Sequence, residues 1–173
     1  MKIEFTKEIF NPVYLPTYTF RGRYLILWGS AGSGKSEWAA QKILLRSLTE
    51  TPHRFLMLRK VAKSIKGSQY KLFEDIVARW GLGKFFDFKE MHITYLNNKN
   101  ELFFAGLDDP EKLKSITGIT SIWIEEPTEL EEDDFKQIDL RMRGNTKYYK
   151  QIILTFNPID DEHWLRKRFF TDK

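Results

Sequence analysis

The amino-acid sequence predicts an α/β fold in which a mostly parallel central sheet is flanked by helices. Short apolar segments typical of strands alternate along the chain with stretches of helical periodicity. Such an alternation indicates a parallel sheet that is covered on both faces. The 173 residues match the length of one domain, and with 42% hydrophobic and 15% aromatic residues the chain can bury a core.

The elements are predicted as follows. Residues 1–23, with Pro12 and Pro16, form a lead-in, and residues 24–173 form the core domain. Apolar runs predict strands at 24–28, 54–58, 121–126 and 151–158, and a hairpin whose strands, 91–96 and 101–106, flank "NNKN". Apolar periodicity and stop signals predict helices at 36–49, 68–80, 109–115, from before Phe135 to Gly144, and 161–170.

The composition excludes several classes of protein. There is no cysteine, which rules out disulfides and thiolate zinc sites and fits a reducing compartment. No apolar run approaches the length of about 20 residues that a membrane span needs. The N-terminal residues lack the apolar segment of a secretory signal.

The charge is distributed unevenly. The net charge is +4, but residues 125–134, "EEPTELEEDD", hold seven of the 24 acidic residues and no base. The rest of the chain is therefore strongly basic, which suits a protein that handles a polyanion while holding Mg²⁺. Ordinary solubilisation by surface lysines is the alternative.

The segment "ILWGSAGSGKSEWAA" carries a phosphate-binding motif. Gly29, Gly34, Lys35 and Ser36 fit the spacing G-x-x-x-x-G-K-[ST] between a predicted strand and a predicted helix. Glycines allow positive φ, so successive N–H groups can point at one anion, and the helix N-terminus adds its own free N–H groups. Lys35 can reach the β- and γ-phosphates of a nucleotide, and Ser36 can ligate Mg²⁺. The alternative is a flexible turn with a surface lysine.

Two carboxylates follow a second apolar strand. Glu125 and Glu126 end "SIWIEE", and ligands in parallel α/β sheets bind at the carboxyl ends of strands. We expect Glu125 to face the Mg²⁺ centre at Ser36 and Glu126 to accept a hydrogen bond from the attacking water. An acidic helix start is the alternative for this region. It explains residues 131–134 better than it explains the two acids directly after the strand.

A third polar pair follows the strand "QIILTF". Thr155 and Asn157 stand at its end and can sense the γ-phosphate or the catalytic water. A simple turn ended by Pro158 explains the same residues.

Taken together, these segments resemble the large terminase subunit of tailed bacteriophages and prophages. The likeness runs from about Tyr24 to Phe170 and includes "GSAGSGKS", "RKVAKSIKGSQY", "IWIEEPTEL", "LRMRG" and "LTFNP" followed by "HW". The resemblance implies an additional-strand P-loop ATPase core of the RecA/terminase-like type. It also implies that ATP and Mg²⁺ drive double-stranded DNA into a procapsid.

The resemblance also implies residue roles. Glu125 and Glu126 become the Walker B metal-side and catalytic acids, with Lys35 also acting in catalysis, and Thr155 and Asn157 belong to the coupling motif. Many large terminases have arginine in the P-loop where this chain has Ala31, which leaves an arginine contact from the loop in doubt. The Walker A residues become Gly29, Ser30, Ala31, Gly32, Ser33, Gly34, Lys35 and Ser36.

The partners implied are the portal protein, the small terminase subunit and further copies in a ring, expected to be a pentamer. The isolated domain is expected to be a monomer. The expected location is the host cytoplasm, at the portal vertex of the procapsid. Large terminases also carry a nuclease domain, and the chain offers no further acidic cluster suited to two-metal nuclease chemistry.

A cation that acts on a neighbouring subunit's nucleotide is also expected. Many large terminases place a basic residue about ten positions before the Walker B acids, where this chain has Lys114. Arg141 and Arg143 are the rivals, and arginine would suit a bidentate phosphate contact better. The alternative is that all three are solvated or contact DNA.

Other functions remain open at this point. A RecA-like helicase or DNA translocase would need a second motor domain or further nucleic-acid motifs. A small-molecule kinase would need a substrate pocket and an arginine-rich lid. A nucleotide-gated DNA-binding module is the alternative that is not an enzyme.

Overall fold

The computed structural model describes residues 4–170, and seven strands in this range form one sheet. The strand order is β1-β7-β6-β2-β5-β4-β3. The five strands β1, β7, β6, β2 and β5 are parallel to their neighbours. At the other edge, β4 pairs antiparallel with both β5 and β3. The strands are β1 (Tyr24–Trp28), β2 (Arg54–Arg59), β3 (Phe86–Lys89), β4 (His92–Tyr95), β5 (Glu101–Gly106), β6 (Ser121–Glu125) and β7 (Ile152–Phe156).

Helices cover both faces of the sheet, as the sequence predicts. On one face, Trp38 and Ile43 of α1 pack with Phe73 of α3 against Phe55 and Trp123 of the sheet. On the other face, residues of α4, α5 and α6 pack against the side chains that point the opposite way from the same strands. The helices are α1 (Lys35–Thr49), α2 (Ala62–Ile65), α3 (Lys71–Arg79), α4 (Pro110–Ser115), α5 (Glu132–Leu140) and α6 (Trp164–Phe169).

Several element boundaries differ from those that the sequence predicts. β3 lies outside the predicted strands. The helix predicted at 68–80 begins as α3 only at Lys71, because residues 68–70 belong to a π-helical turn, Lys66–Tyr70, that follows α2. α5 ends at Leu140, short of Gly144. Gly144 instead donates its N–H to the Ile119 carbonyl at 2.7 Å, and an added Cβ there would lie 2.0 Å from the Gly118 carbonyl oxygen. That close approach of two backbones explains the glycine.

The lead-in packs along α1. Gln41 donates to the Ile9 carbonyl, and the buried Lys42 ammonium donates to the carbonyls of Thr17, Tyr18 and Phe20 at 2.6 to 3.2 Å. The aromatic ring of Phe10 packs edge-on against Trp38 and Trp80. Within residues 4–170 every helix is too short or too polar to span a bilayer.

Candidate active site

Three strand ends meet at one edge of the sheet. β7 lies between β1 and β6, with Trp28 opposite Phe156 and Glu125 opposite Thr155. The Gly29 N–H donates to the Phe156 carbonyl at 3.2 Å, and the Glu126 N–H donates to the Thr155 carbonyl at 2.9 Å. The glycine-rich loop, the two acids and the "TFNP" segment therefore lie side by side at the carboxyl end of the sheet, where ligands bind in parallel α/β folds.

The loop of residues 29–34 wraps around the Lys35 side chain. Gly32 and Gly34 take positive φ values of 75° and 84°, which residues other than glycine rarely adopt. Lys35 is buried, and its ammonium donates to the Ser30 carbonyl at 3.1 Å and to Asn157 Oδ1 at 3.0 Å. Ser36 follows in the first turn of α1 and is half-buried, whereas Ser30 and Ala31 are exposed at the tip of the loop.

Glu125 carries a buried oxygen without a hydrogen bond. Its Oε2 atom lies 3.8 Å from Arg59 Nη1, and among residues 4–170 the same oxygen finds no hydrogen-bond donor although it is shielded from solvent. Native structures rarely leave a buried carboxylate oxygen in this state. An unsatisfied oxygen at the end of β6 is a suitable ligand for a hydrated cation.

Glu126 has an unusual backbone and an unusual carboxyl group. Its φ and ψ are 53° and 54°, a left-handed conformation that costs free energy in a residue with a side chain and occurs often at functional sites. Burial, and next the neighbouring Glu125 carboxylate, raise the pKa of Glu126, while Lys35 and Arg59 oppose that shift. The Glu126 carboxyl group therefore lies close enough to interact electrostatically with both Lys35 and Glu125.

Thr155 and Asn157 differ in what they contact. Asn157 is exposed and accepts the hydrogen bond from Lys35, so the structure brings it into the loop site. Thr155 is buried, and its hydroxyl accepts a hydrogen bond from the Trp123 indole at 2.9 Å. This contact joins β7 to β6 beneath the acids, and a nucleotide contact by Thr155 stays a prediction.

The three candidate trans-acting cations lie together on the surface. Lys114, Arg141 and Arg143 line one groove of about 370 Å³. Lys114 is exposed and pairs with Glu111 at 3.1 Å, and Arg141 donates to the Leu113 carbonyl at 3.0 Å. The sequence gives no sign that the three cations share one groove.

Two contributors to the site were not predicted from sequence. Arg59 ends β2 next to β6, so its guanidinium faces Glu125 and also donates to Ser68 at 3.2 Å. Its place after a predicted strand could have indicated this. Tyr14 and Asn11 of the lead-in contact Ser33 of the loop, and no sequence pattern signals that contact.

These features define the class: a P-loop nucleotide-binding domain in which one strand, β7, lies between the strand that leads into the loop and the strand that ends in the two acids. The family model of the phage terminase large subunit matches residues 21–173. The chain belongs to that family.

Known relatives and structures agree with the assignment. The chain is similar to the PBSX phage terminase large subunit of Bacillus subtilis (strain 168), with 34% identity over 170 residues. That match covers 96% of this chain but only 38% of the relative.

Two solved structures share the fold. The large terminase of a thermophilic bacteriophage in complex with ATP-gamma-S has a TM-score of 0.68 and 15% identity, over 88% of this chain and 36% of that one. The N-terminal domain of the DNA packaging ATPase from bacteriophage phi29 has a TM-score of 0.60 and 16% identity, over 86% of this chain and 79% of that one.

Proposed function

We propose that this chain is the ATPase domain of a DNA-packaging motor, which hydrolyses ATP to move double-stranded DNA into a procapsid. The observation that carries the proposal is the position of Lys35, whose ammonium joins the loop to Asn157 beside the Glu125–Glu126 pair. Such a site would offer a phosphate cradle, a metal-side acid and a base, which phosphoryl transfer to water uses. Family membership favours the packaging motor over the helicase and kinase alternatives.

Nucleotide binding would use the loop that now closes on Lys35. The ammonium is held by one carbonyl and one amide oxygen, both neutral acceptors, and a β- or γ-phosphate would replace them with a charged partner and a stronger bond. The N–H groups at the start of α1 would add to this anion site. A related terminase in complex with ATP-gamma-S supports ATP as the nucleotide.

Mg²⁺ fits the donor set at Ser36 and Glu125. A hydroxyl and a carboxylate oxygen are ligands that this cation accepts, usually with retained water. The buried Glu125 oxygen without a hydrogen bond supports this assignment. When bound, the cation would neutralise charge that develops on the phosphates.

Glu126 is proposed as the residue that orients and deprotonates the attacking water. Its raised pKa brings the carboxylate closer to the value that suits a general base near neutral pH. The left-handed backbone turns the chain sharply after β6, so adjacent carboxylates are presented in different directions.

Assembly would complete the motor. We propose a homo-oligomeric ring, expected to be a pentamer, that contacts the portal protein, the small terminase subunit and DNA in the host cytoplasm at the portal vertex. The basic balance outside residues 125–134 supports contact with a polyanion. The groove that holds Lys114, Arg141 and Arg143 supports a cationic contact with a neighbouring subunit.

The proposal is tested by measuring nucleotide binding and hydrolysis on the purified chain, with and without duplex DNA. We expect calorimetric binding of ATP·Mg²⁺ and slow release of phosphate. Both should be lost in Lys35→Ala, because the phosphates lose their cationic partner. Wild-type affinity in that variant would refute the site. DNA binding without any hydrolysis, in assembled subunits as well as in isolation, would favour the nucleotide-gated module instead.

A further inference from the structure

The lead-in reaches the phosphate-binding loop at one peptide. The Tyr14 hydroxyl donates to the Ser33 carbonyl at 3.0 Å and lies 3.3 Å from the Ser33 hydroxyl. Asn11 Nδ2 lies 3.5 Å from the same carbonyl. A Cβ added to Gly34 would lie 3.4 Å from Asn11 Nδ2 and 3.7 Å from the Tyr14 ring, so the lead-in packs directly against the last glycine of the loop.

Tyr14 is itself fixed by α1. Its ring stacks on the buried Trp38, with centroids 6.3 Å apart and planes at 14°. The Trp38 indole donates to the Thr17 hydroxyl at 2.8 Å, and that hydroxyl donates to the Tyr14 carbonyl at 2.8 Å. The hydroxyl of Tyr14 is thus held in place by the same helix that begins with Lys35, which makes the contact with the loop a preorganised one.

We propose that Tyr14, assisted by Asn11, is a positioning residue that aims a loop N–H group at the nucleotide phosphates. The carbonyl and the following N–H of a planar trans peptide point in opposite directions. Holding the Ser33 carbonyl towards the lead-in therefore turns the Gly34 N–H away from the lead-in, into the loop. The inference rests on the proposed nucleotide site and deepens it, because it makes the lead-in a working part of phosphate binding.

This role differs from recognition of the nucleoside. A residue that positions the loop affects every ligand with a polyphosphate chain alike. A residue that contacts base or ribose affects only ligands that carry them. Inorganic tripolyphosphate with Mg²⁺ therefore separates the two roles.

The experiment measures calorimetric affinities of ATP, ADP and tripolyphosphate, each with Mg²⁺, for wild type, Tyr14→Phe and Tyr70→Phe. Tyr70→Phe is the matched control, because Tyr70 also donates to a main-chain carbonyl, that of Lys89, at 2.7 Å and at a distant part of the fold. We expect Tyr14→Phe to weaken all three ligands by the same factor, about 3- to 10-fold, as befits one hydrogen bond. The control should bind like wild type.

Kinetics and a second variant sharpen the test. Tyr14→Phe should raise KM for ATP by the same factor with kcat nearly unchanged, since positioning of bound phosphates is lost in ground state and transition state alike. Asn11→Ala removes the longer contact with the Ser33 carbonyl, together with the hydrogen bond that Asn11 Oδ1 accepts from the Val13 N–H, and it should give a smaller loss in the same direction.

Three results would overturn the inference. They are unchanged affinities in both lead-in variants, equal losses in Tyr70→Phe, or a loss for ATP and ADP with tripolyphosphate unaffected. If wild type bound none of the three ligands, the proposed function itself would fail. Binding by wild type with no effect of Tyr14→Phe would remove the positioning role alone.

Discussion

Glu126 has two features that each cost free energy of folding and that a residue with a purely structural role would not need. Its backbone is left-handed, and its carboxyl group is partly removed from water beside a second carboxylate. Glu131 shows the contrast within the same acidic segment. Its carboxylate and that of Asp134 form a reciprocal capping box at the start of α5, where acids stabilise the helix. The helix start thus explains Glu131 and Asp134, and it leaves Glu126 to be explained by chemistry.

Glu126→Gln should abolish most hydrolysis while leaving nucleotide binding intact. The amide keeps the shape of the side chain but cannot take a proton from water, so we expect kcat to fall by about 10²- to 10⁴-fold. Steady-state phosphate release and calorimetric ATP binding measure the two effects. Glu129→Gln, three residues further on, is the matched control and should retain near-normal kcat.

The pH dependence follows from the direction of the pKa shift. A general base works only when ionised, and the pKa of Glu126 is raised above its ordinary value of 4.5. We expect kcat of the wild type to fall as pH is lowered through that raised pKa, at a higher pH than an ordinary glutamate would give. A profile that is flat down to pH 4.5 would contradict the role assigned to Glu126.

At the scale of elements, α1 ties the lead-in to the core through Lys42. The ammonium is fully buried and reaches three lead-in carbonyls. Burial lowers the pKa of Lys42 from 10.5 to about 8, with Arg46 adding to the effect. The hydrogen bonds to the carbonyls and the burial of the charge therefore act in opposite directions on stability.

Lys42→Met should destabilise the fold and alter its pH dependence. Three carbonyls lose their donor, which outweighs the relief from removing a buried charge, and we expect a net loss of about 1–3 kcal/mol in the free energy of unfolding at pH 7. Because the folded state releases the Lys42 proton first, the unfolded state binds more protons between pH 8 and 10.5. The stability advantage of the wild type over the variant should grow as pH rises through this window.

Urea unfolding monitored by tryptophan fluorescence, at pH 7 and pH 9.5, measures both effects. Lys71→Met is the control, because Lys71 is an exposed lysine on α3 and should cost less than about 0.5 kcal/mol. If the difference in free energy of unfolding between wild type and Lys42→Met shrank with pH, the pKa of Lys42 would be raised in the folded state. The hydrogen bonds to the carbonyls would then stabilise the charged ammonium more than burial destabilises it.

The elements that the sequence predicts well are those with local signals. The strands β6 and β7 are apolar runs buried on both faces, β1 is an apolar run at the sheet edge with one face buried, and the loop motif gives the start of α1. β3 is short and half-buried, at the sheet edge, and it becomes a strand only through its pairing with β4. The split at Lys66–Tyr70 falls at Gly67 and Ser68, residues of weak helix propensity that periodicity does not register.

The candidate site divides in the same way. The loop and the two acids could be predicted because each follows one strand, and parallel strands share one ligand edge. The side chains that Lys35, Thr155 and Arg59 contact lie on or just after other strands. These contacts depend on which strands are neighbours in the sheet, and local sequence patterns do not give the strand order. The shared groove of Lys114, Arg141 and Arg143 joins α4 to the end of α5, a tertiary contact that no local pattern encodes.

At the scale of the whole molecule, the isolated chain should be a slow enzyme. A cation supplied by a neighbouring subunit is worth about 10³- to 10⁵-fold in rate in related phosphoryl-transfer enzymes, and a monomer lacks it. We expect hydrolysis that rises with subunit concentration as rings assemble. Light scattering on the same samples gives the oligomeric state. Turnover in a demonstrated monomer as fast as in assembled rings would contradict a trans-acting cation.

Mixed rings of the large subunit would identify that cation. Lys114→Ala subunits keep an intact Glu126, and Glu126→Gln subunits keep an intact Lys114. If Lys114 acts across the interface, each uniform ring is inactive. In a random one-to-one mixture, about one quarter of the head-to-tail interfaces pair a good Glu126 with a neighbour's good Lys114. Hydrolysis should therefore recover in part on mixing.

The same experiment with Arg141→Ala or Arg143→Ala tests the rivals. Arg141 already donates to the Leu113 carbonyl in α4, so its loss should disturb the groove without giving recovery on mixing. Lys114 is exposed, and in the part of the chain that the structure describes it is held by one surface ion pair, with Glu111, which costs little to break when a phosphate offers a stronger partner. Full activity in uniform Lys114→Ala rings, or recovery with Arg143→Ala instead, would move the trans-acting role away from Lys114.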